Sequence, residues 1–422
     1  MTDANQSFGQ NVDQESAEKL FCGNSHNLLL AAVGIILPSE RHSIILEANE
    51  SMVGDRDAVG IAREIMQNMF GAAEGWLGVD DPVLSEELSQ KSAEGTWFGE
   101  SLKRAVELEL VLLEELSESR GELASKDATE CTDGRRNLDE FTLDQLGGYE
   151  KSAPVRIGNA AHQQFQLDIY GEMMDSIYLA NKYGDAVPYA GWLEVQRLLA
   201  WLGNNWQRPD QGIWEVRGGA REFLHSRFMC WVAFDRGIRL AQKRSLSAPL
   251  QDWLNTRDAI RADIFTNFWN EELQSFVQSK GSKDLDASVL LMPLMRFISP
   301  VDPLWLSTLR AIESRLVEDT LVHRYEAERT HVDGIPGGEG SFTACSFWYI
   351  ECLTRAGQLE KAQLLFEKML GYANHLGLYS EQLGSNGQHL GNFPQAFTHL
   401  ALISAATYLD RMLSGENEAV WR

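Results

Sequence analysis

From about residue 133 onward the chain keeps one texture: stretches apolar at helical spacing, separated by loops rich in Gly, Pro and Asp. The periodicity predicts helices near 161–183, 189–205, 221–242, 249–268, 284–297, 302–316, 341–356, 358–375 and 394–413. Start signals support several of them. Pro188 precedes the second, Asp302-Pro303 suits the N-cap and first position of the sixth, and Pro394 opens the last. Apolar/polar alternation never persists over six residues in this part, so no sheet is expected. Nine helices whose loops alternate between short and long predict helical hairpins set in a ring or array. No fixed-length repeat of the common solenoids is present.

The first 132 residues differ. They hold 25 acids and 9 bases, a net of -16 of the chain's -24, and only two of its twelve tryptophans, Trp76 and Trp97. Helical spacing recurs over 58–73 and 100–122, while the apolar runs Leu28–Leu37 and Ile44–Leu46 fit strand or buried helix equally. We therefore read two regions with a seam near Ala128–Arg136: an acidic, mainly helical 1–132 of unknown role, and 133–422. The strongly negative charge disfavours nucleic acid and anionic membrane as partners. The five cysteines form no CxxC pair and no metal-spaced set, and Cys230 and Cys345 lie in apolar helical patterns, as free thiols of a reducing compartment do. With no basic leader and no apolar run long enough to span a bilayer, these features predict a cytoplasmic protein.

The chemistry is expected on the long loops, 206–220, 318–340 and 376–393. The first packs Trp206, Trp214, Glu215 and Arg217 among helix breakers, a composition that fits the floor of a pocket. It fits equally two tryptophans capping the core beside a solvated glutamate. The second loop carries His323-Arg324-Tyr325 and a glycine-rich turn, and the third Tyr379-Ser380-Glu381-Gln382 and Gly391-Asn392-Phe393-Pro394. If the helices form inner and outer rings, long loops on one face build a single site. Two loop carboxylates among Trp and Arg suit acid/base work on an uncharged polyol, one acid staying protonated against an apolar wall. Other chemistries fit less well. The nine histidines include no HExxH, the turn Gly337-Gly338-Glu339-Gly340 lacks the Lys-Ser/Thr of a phosphate loop, and no GxSxG is present. His225 and Cys230 read as packed residues.

Specific motifs go further. Asn205-Trp-Gln-Arg-Pro-Asp-Gln-Gly-Ile-Trp-Glu-Val-Arg-Gly218 and Met229-Cys-Trp-Val-Ala233 closely resemble bacterial members of glycoside hydrolase family 15, the glucoamylase and trehalase-like family. The likeness extends to Pro154–Asn159, Gln166–Glu172, Leu285–Ser288, Gly337–Gly340, Cys345–Trp348, Tyr379–Gln382 and Gly391–Phe397, in the family's order from about Asp133 onward. The resemblance implies an all-α fold, an (α/α)6 toroid-like barrel, and inverting hydrolysis of an α-glucosidic bond in trehalose or malto-oligosaccharides. It implies Glu215 as general acid and Glu381 as general base. Arg324 is implied as a binder of substrate hydroxyls, Trp214 and Trp348 as the lining of the glucose pocket, Gln382 as a neighbour of the base, and Arg217 as a further substrate contact. No metal or organic cofactor is implied.

One departure stands out. The family's earlier motif, resembling Trp-Asp-Tyr-Arg-Tyr-x-Trp-x-Arg-Asp on the first three barrel helices, is not recognisable in residues 1–132; Arg56-Asp57 echoes only its end. The barrel of 133–422 is thus expected to be incomplete, with an unrelated N-terminal region before it. Two readings follow: an active glycosidase, or a degenerate relative that binds sugar weakly or serves as a scaffold.

Overall fold

The computed structural model describes residues 140–148, 153–158, 160–183, 186–326 and 339–415. The expectations for 58–73, 100–122, Arg56-Asp57, Cys22, Cys131 and the turn Gly337-Gly338 lie outside them. Nine α-helices occur among the described residues: α1 Ile169–Tyr183, α2 Tyr189–Asn205, α3 Leu224–Arg244, α4 Leu250–Asn267, α5 Leu291–Leu294, α6 Pro303–Leu316, α7 Thr343–Arg355, α8 Leu359–Leu370 and α9 Ala396–Leu413. Each falls where the periodicity predicts one. The Asp302 carboxylate accepts the Leu304 N–H at 2.9 Å with Pro303 behind it, the capped start expected there. Pro394 stands just outside α9, whose cap is Gln395.

Burial sorts the helices into two rows. In α3 every residue from Leu224 to Ile238 is buried, and in α7 every residue from Thr343 to Thr354. Helices buried on every side lie in the interior, here with paired charges among the apolar residues. By contrast α8 buries one stripe, Ala362, Leu365, Phe366 and Met369. Contacts run α1 to α3, α3 to the 287–294 segment, that segment to α7, and α7 to α9, while α2, α4, α6 and α8 back onto this inner row. Inner and outer helices therefore alternate along the chain. Gly171 lets α1 meet α3 closely, since a Cβ there would lie 2.4 Å from the Met229 carbonyl oxygen.

Buried ion pairs join neighbouring inner helices. Between α1 and α3, Arg236 bonds Asp175 and Asp235 and reaches the Met295 carbonyl at 3.1 Å. Between α7 and α9, Arg355 holds Glu351, whose other oxygen accepts from Ser404 Oγ at 2.7 Å. Such groups are tolerated inside because each charge faces an opposite one and further hydrogen bonds. Cys230, Cys345 and Cys352 are free and buried, as expected for the first two. No helix among the described residues is long and apolar enough to cross a membrane.

Three expectations need correction. Among the described residues nine two-residue strands occur where no sheet was expected, β1 Phe141–Thr142 with β2 Arg156–Ile157, β3 Trp269–Asn270 with β4 Ser275–Phe276, β5 Val317–Glu318 with β6 Leu321–Val322, and β7 Ser341–Phe342, β8 Gln382–Leu383 and β9 His389–Leu390 in that order, all antiparallel. At two residues they are too short to leave alternation in the sequence. The helix expected at 284–297 is a 3₁₀ turn, Ala287–Leu290, running into the four-residue α5. Pro293 lacks the N–H that would continue it. Residues 164–168, expected as the first helical turn after 161, leave the helix to bond a neighbouring loop.

Glu172, on α1, keeps part of its surface open but lies deep in the ring. Burial, with the carboxylates of Asp168 and Asp175, pushes its pKa up to about 8. The folded state then binds a proton that the unfolded chain, titrating near 4.3, releases, so folding loses stability as pH rises from about 4.5 to 8. Glu172→Gln is expected to leave the melting temperature unchanged at pH 4.5 and to raise it by at least about 2 °C at pH 8.5. Calorimetry at the two pH values checks this.

Candidate active site

The long loops converge at the N-terminal ends of the inner helices. Loop 206–223 precedes α3, loop 323–342 precedes α7 and loop 371–395 precedes α9. The first is held by the extended segment 164–167, which bonds it along its length. Phe165 N–H donates to Gln211 Oε1 and Phe165 C=O accepts from Gln211 N–H, both at 3.0 Å. Gln166 Nε2 donates to the Gly212 carbonyl at 3.3 Å, and Leu167 N–H to Asp210 Oδ2 at 2.9 Å. Gln164 Nε2 reaches the carbonyls of Glu215 (3.1 Å) and Val216 (3.3 Å). Phe165 and Leu167 thus pair their backbone with the loop, while Gln164 and Gln166 do so through their side-chain amides.

Glu215 adopts φ 53°, the left-handed region that a non-glycine residue occupies only when its surroundings impose it. The bonds of Gln164 to its own carbonyl and the next are such surroundings. Beside it, the Trp214 indole meets Phe342 edge-on at 5.4 Å and lies 6.4 Å from Trp348, which in turn meets Phe397 at 5.4 Å. The Arg324 guanidinium stands 5.2 Å from the Trp214 and Tyr325 rings and 5.4 Å from Phe342. Glu339 grips it with both carboxylate oxygens. Burial opposes that positive charge, but Tyr325, Glu339 and Glu381 outweigh burial and hold its pKa above the ordinary arginine value. The Arg324 guanidinium thus contacts the ring next to Glu215 and feels the Glu381 carboxylate.

Glu381 sits at the entrance to β8 (Gln382–Leu383), which pairs with β7 (Ser341–Phe342) and β9 (His389–Leu390). Its carbonyl accepts the Thr343 N–H at 2.9 Å, tying it to the start of α7. Asn392 donates its backbone N–H (3.1 Å) and its Nδ2 (2.9 Å) to Glu381 Oε2. Gly391, at φ +70°, leaves room for that oxygen, since a Cβ there would come within 2.8 Å of it. Behind, His399 accepts the Tyr379 N–H on Nε2 (3.2 Å) and is bonded through Nδ1 to the Gln395 carbonyl (2.6 Å). Burial keeps that imidazole's pKa below its usual value, so a neutral ring braces the turn two residues before Glu381.

The remaining expected residues fall as follows. Gln382 turns its amide oxygen to the Gly340 N–H at 3.1 Å, holding the Glu339 end of its loop against β8. The exposed Arg217 gives both terminal nitrogens to Glu140, which also binds Arg156. Trp206 is not on a pocket floor but in the main core, with Arg227 stacked 4.9 Å over it. His225 is packed against Phe228, as read. Sequence reasoning missed Gln164, Asp286, Glu339, Asn392 and His399 as parts of the site. All but Gln164 and His399 lie in the quoted motifs, but neutral amides, a histidine and a glycine-turn acid carry no signal of position.

An inner and outer row of helices, with two loop carboxylates set around Trp214 and Arg324 at one end, defines an α/α-barrel with a candidate hydrolytic site. Comparison with known proteins identifies the family. The model of the glycosyl hydrolases family 15 matches residues 126–407, and the chain belongs to that family. It is 44% identical over 279 residues to a trehalase of Mycobacterium tuberculosis, covering 66% of this chain and 41% of that protein. To a trehalase of Thermoplasma volcanium it is 40% identical over 283 residues, covering 67% and 45%. The chain thus spans less than half the length of these relatives. A solved structure described as a wild-type glycosidase superposes with TM-score 0.51 at 19% identity, covering 62% of this chain and 73% of that one. That likeness shows the fold, the (α/α)6 barrel expected from the sequence motifs. The matched stretch begins within a few residues of the expected Asp133.

Glu140 supplies a test of how the Glu215 loop is anchored. The hydrogen bond from Arg217, opposed by burial and aided by the Ala160 N–H and the charges of Arg217 and Arg156, lowers its pKa to about 2. Its stabilising contribution is complete above the unfolded value near 4.3 and is lost as pH falls through about 2. Glu140→Gln, which mimics the protonated acid, is expected to cost about 1 kcal/mol at pH 6 after solvent screening. Urea titrations should show that gap closing between pH 4.5 and 2.

Proposed function

We propose that this chain is an inverting α-glucosidase of carbohydrate metabolism that cleaves trehalose or a malto-oligosaccharide. The observation that carries this reading is Arg324, stacked on the ring beside Glu215 and within electrostatic reach of Glu381. Two carboxylates around one sugar-sized cluster of Trp and Arg are what acid/base hydrolysis with a water between base and sugar requires. Glu215 donates its proton to the glycosidic oxygen as the C1–O bond breaks. Glu381 takes a proton from the water whose oxygen forms the new bond at C1 on the opposite face. Electrons and protons balance without a cofactor, and configuration at C1 inverts.

Around that centre Trp214 and Trp348 pack on the apolar faces of the glucose ring, and Arg324 binds its hydroxyls, oriented by Glu339. Gln382 supports the base from below. Arg217, committed to Glu140, acts at the rim, holding the Glu215 loop more than the sugar. The trehalases among the relatives favour trehalose, a glucose disaccharide, over a longer chain. We place the catalytic region at 133–422, without the family's first helices, and the acidic 1–132 as a separate region. The charge and cysteine pattern supports a cytoplasmic location.

One observation favours the second reading, a degenerate relative. The Arg-Asp motif with which the family grips glucose is not recognisable in 1–132, and losing a contact to the transition state lowers rate directly. The experiment is glucose release from trehalose and from maltotriose by the wild type, Glu215→Gln and Glu381→Gln. Release from one sugar, reduced at least about 100-fold in both variants, is expected, with the new anomer of inverted configuration seen by polarimetry. Release no greater than that of the variants from either sugar would leave the degenerate reading standing.

A further inference from the structure

Asp286 is 3% exposed and accepts hydrogen bonds only from neutral N–H groups in its recorded contacts. Trp214 Nε1 donates to both oxygens, at 3.0 Å to Oδ1 and 3.1 Å to Oδ2. Gln278 Nε2 donates to Oδ2 at 2.8 Å and the Ser288 N–H to Oδ1 at 2.7 Å. A carboxylate is a costly group to bury, and a Trp N–H does not need one. Trp192 is satisfied by the Ser247 carbonyl at 2.9 Å. Trp231 and Trp305 bury their Nε1 with no hydrogen-bond partner at all. Two indole N–H groups are thus left unpaired despite the cost of doing so, while a two-oxygen acceptor is set against Trp214.

The backbone of Asp286 is tied to the same site from another side. It forms an isolated β-bridge with Tyr325, and the Ala287 N–H donates to the Arg324 carbonyl at 2.7 Å. One residue thus fixes the plane of the ring next to Glu215 through its side chain, and the chain bearing Arg324 through its backbone. A two-point acceptor does what a single carbonyl cannot, because rotation of the indole about its long axis breaks one of the two contacts.

We infer that Asp286 is a positioning residue for glycoside hydrolysis, acting through Trp214 on Glu215 and Arg324 without touching the sugar. This rests on Glu215 being the general acid. Substitution of Asp286 is then felt in the transition state more than in ground-state binding, so kcat falls while KM holds.

The test is kcat, KM and the alkaline limb of the pH profile on the hydrolysed sugar, for wild type, Asp286→Ala, Asp286→Asn, Trp214→Phe and the Ala/Phe double variant. Asp286→Ala is expected to lower kcat about tenfold or more, with KM within about threefold, and to displace the alkaline limb. Asp286→Asn, which keeps one acceptor for Trp214, should recover part of kcat but not all of it. Its amide oxygen accepts from Trp214, and Gln278 can reverse its amide so that Oε1, buried and unpartnered, accepts the new Asn N–H. In the double variant the alanine should add little to the phenylalanine, since both remove one coupling. Should Asp286→Ala not fold, Asp286→Glu replaces it, keeping charge and acceptors but moving them by one methylene, with the same tenfold fall expected. Wild-type kcat in the folded Ala or Glu variant, or full additivity with Trp214→Phe, overturns the inference while leaving an inactive Glu215→Gln to uphold the acid. A wild type that releases no glucose, or a fully active Glu215→Gln, overturns the acid assignment and this inference with it.

Discussion

Residues 164–167 give up helical hydrogen bonds and bond loop 210–216 instead, and the candidate site depends on that exchange. A loop carrying Trp214 and Ile213 would otherwise bury its apolar side chains and leave its backbone polar groups unpaired. Here the backbone is satisfied from alongside, by Phe165, Gln166 and Leu167, and from below, where Asp210 pairs with Arg221 and accepts from Ser226 at 2.6 Å. Only with its backbone so held can Glu215 rest in the left-handed region, which costs of order 1–3 kcal/mol. The Trp214 indole next to it is held on Asp286.

The same logic governs the second carboxylate, with different parts. Glu381 is held by Asn392 and by the ribbon β7-β8-β9, and the turn before it is braced by a neutral His399. Arg324 stands over Trp214, the ring next to Glu215, and within electrostatic reach of Glu381, its charge kept inside by Glu339 and by three aromatic rings.

Much of this was readable in the chain and some was not. Helix positions were legible because each inner or outer helix must show an apolar face or body of fixed period, and Trp253, Ile260 and Ile264 on α4 do so even where the pattern is weak. The 287–294 segment was misjudged because its apolar run satisfies a helix and a 3₁₀ turn equally, and Pro293 decides. Glu215 and Glu381 stand out only through the motifs, since a lone glutamate in a loop looks like any solvated charge. Their supports were not found. Gln164 lies 51 residues from Glu215 and Asp286 lies 72 from Trp214, so the pairings exist only after the barrel brings them together.

That dependence on distant pairings has a consequence for how such a chain can vary. In an α/α barrel each inner helix contributes the loop before it, and the site is assembled from loops that share no local structure. What holds them in register is a handful of long-range polar contacts: Gln164 to Glu215, Asp286 to Trp214, Gln382 to Gly340 and Glu140 to Arg217. The apolar core tolerates many substitutions of similar volume, because burial is non-directional. These contacts do not, since each joins a donor and an acceptor at one geometry. The two carboxylates can therefore persist in a chain whose site has come apart, and their presence alone says less about activity than do the four pairings, all present in this structure.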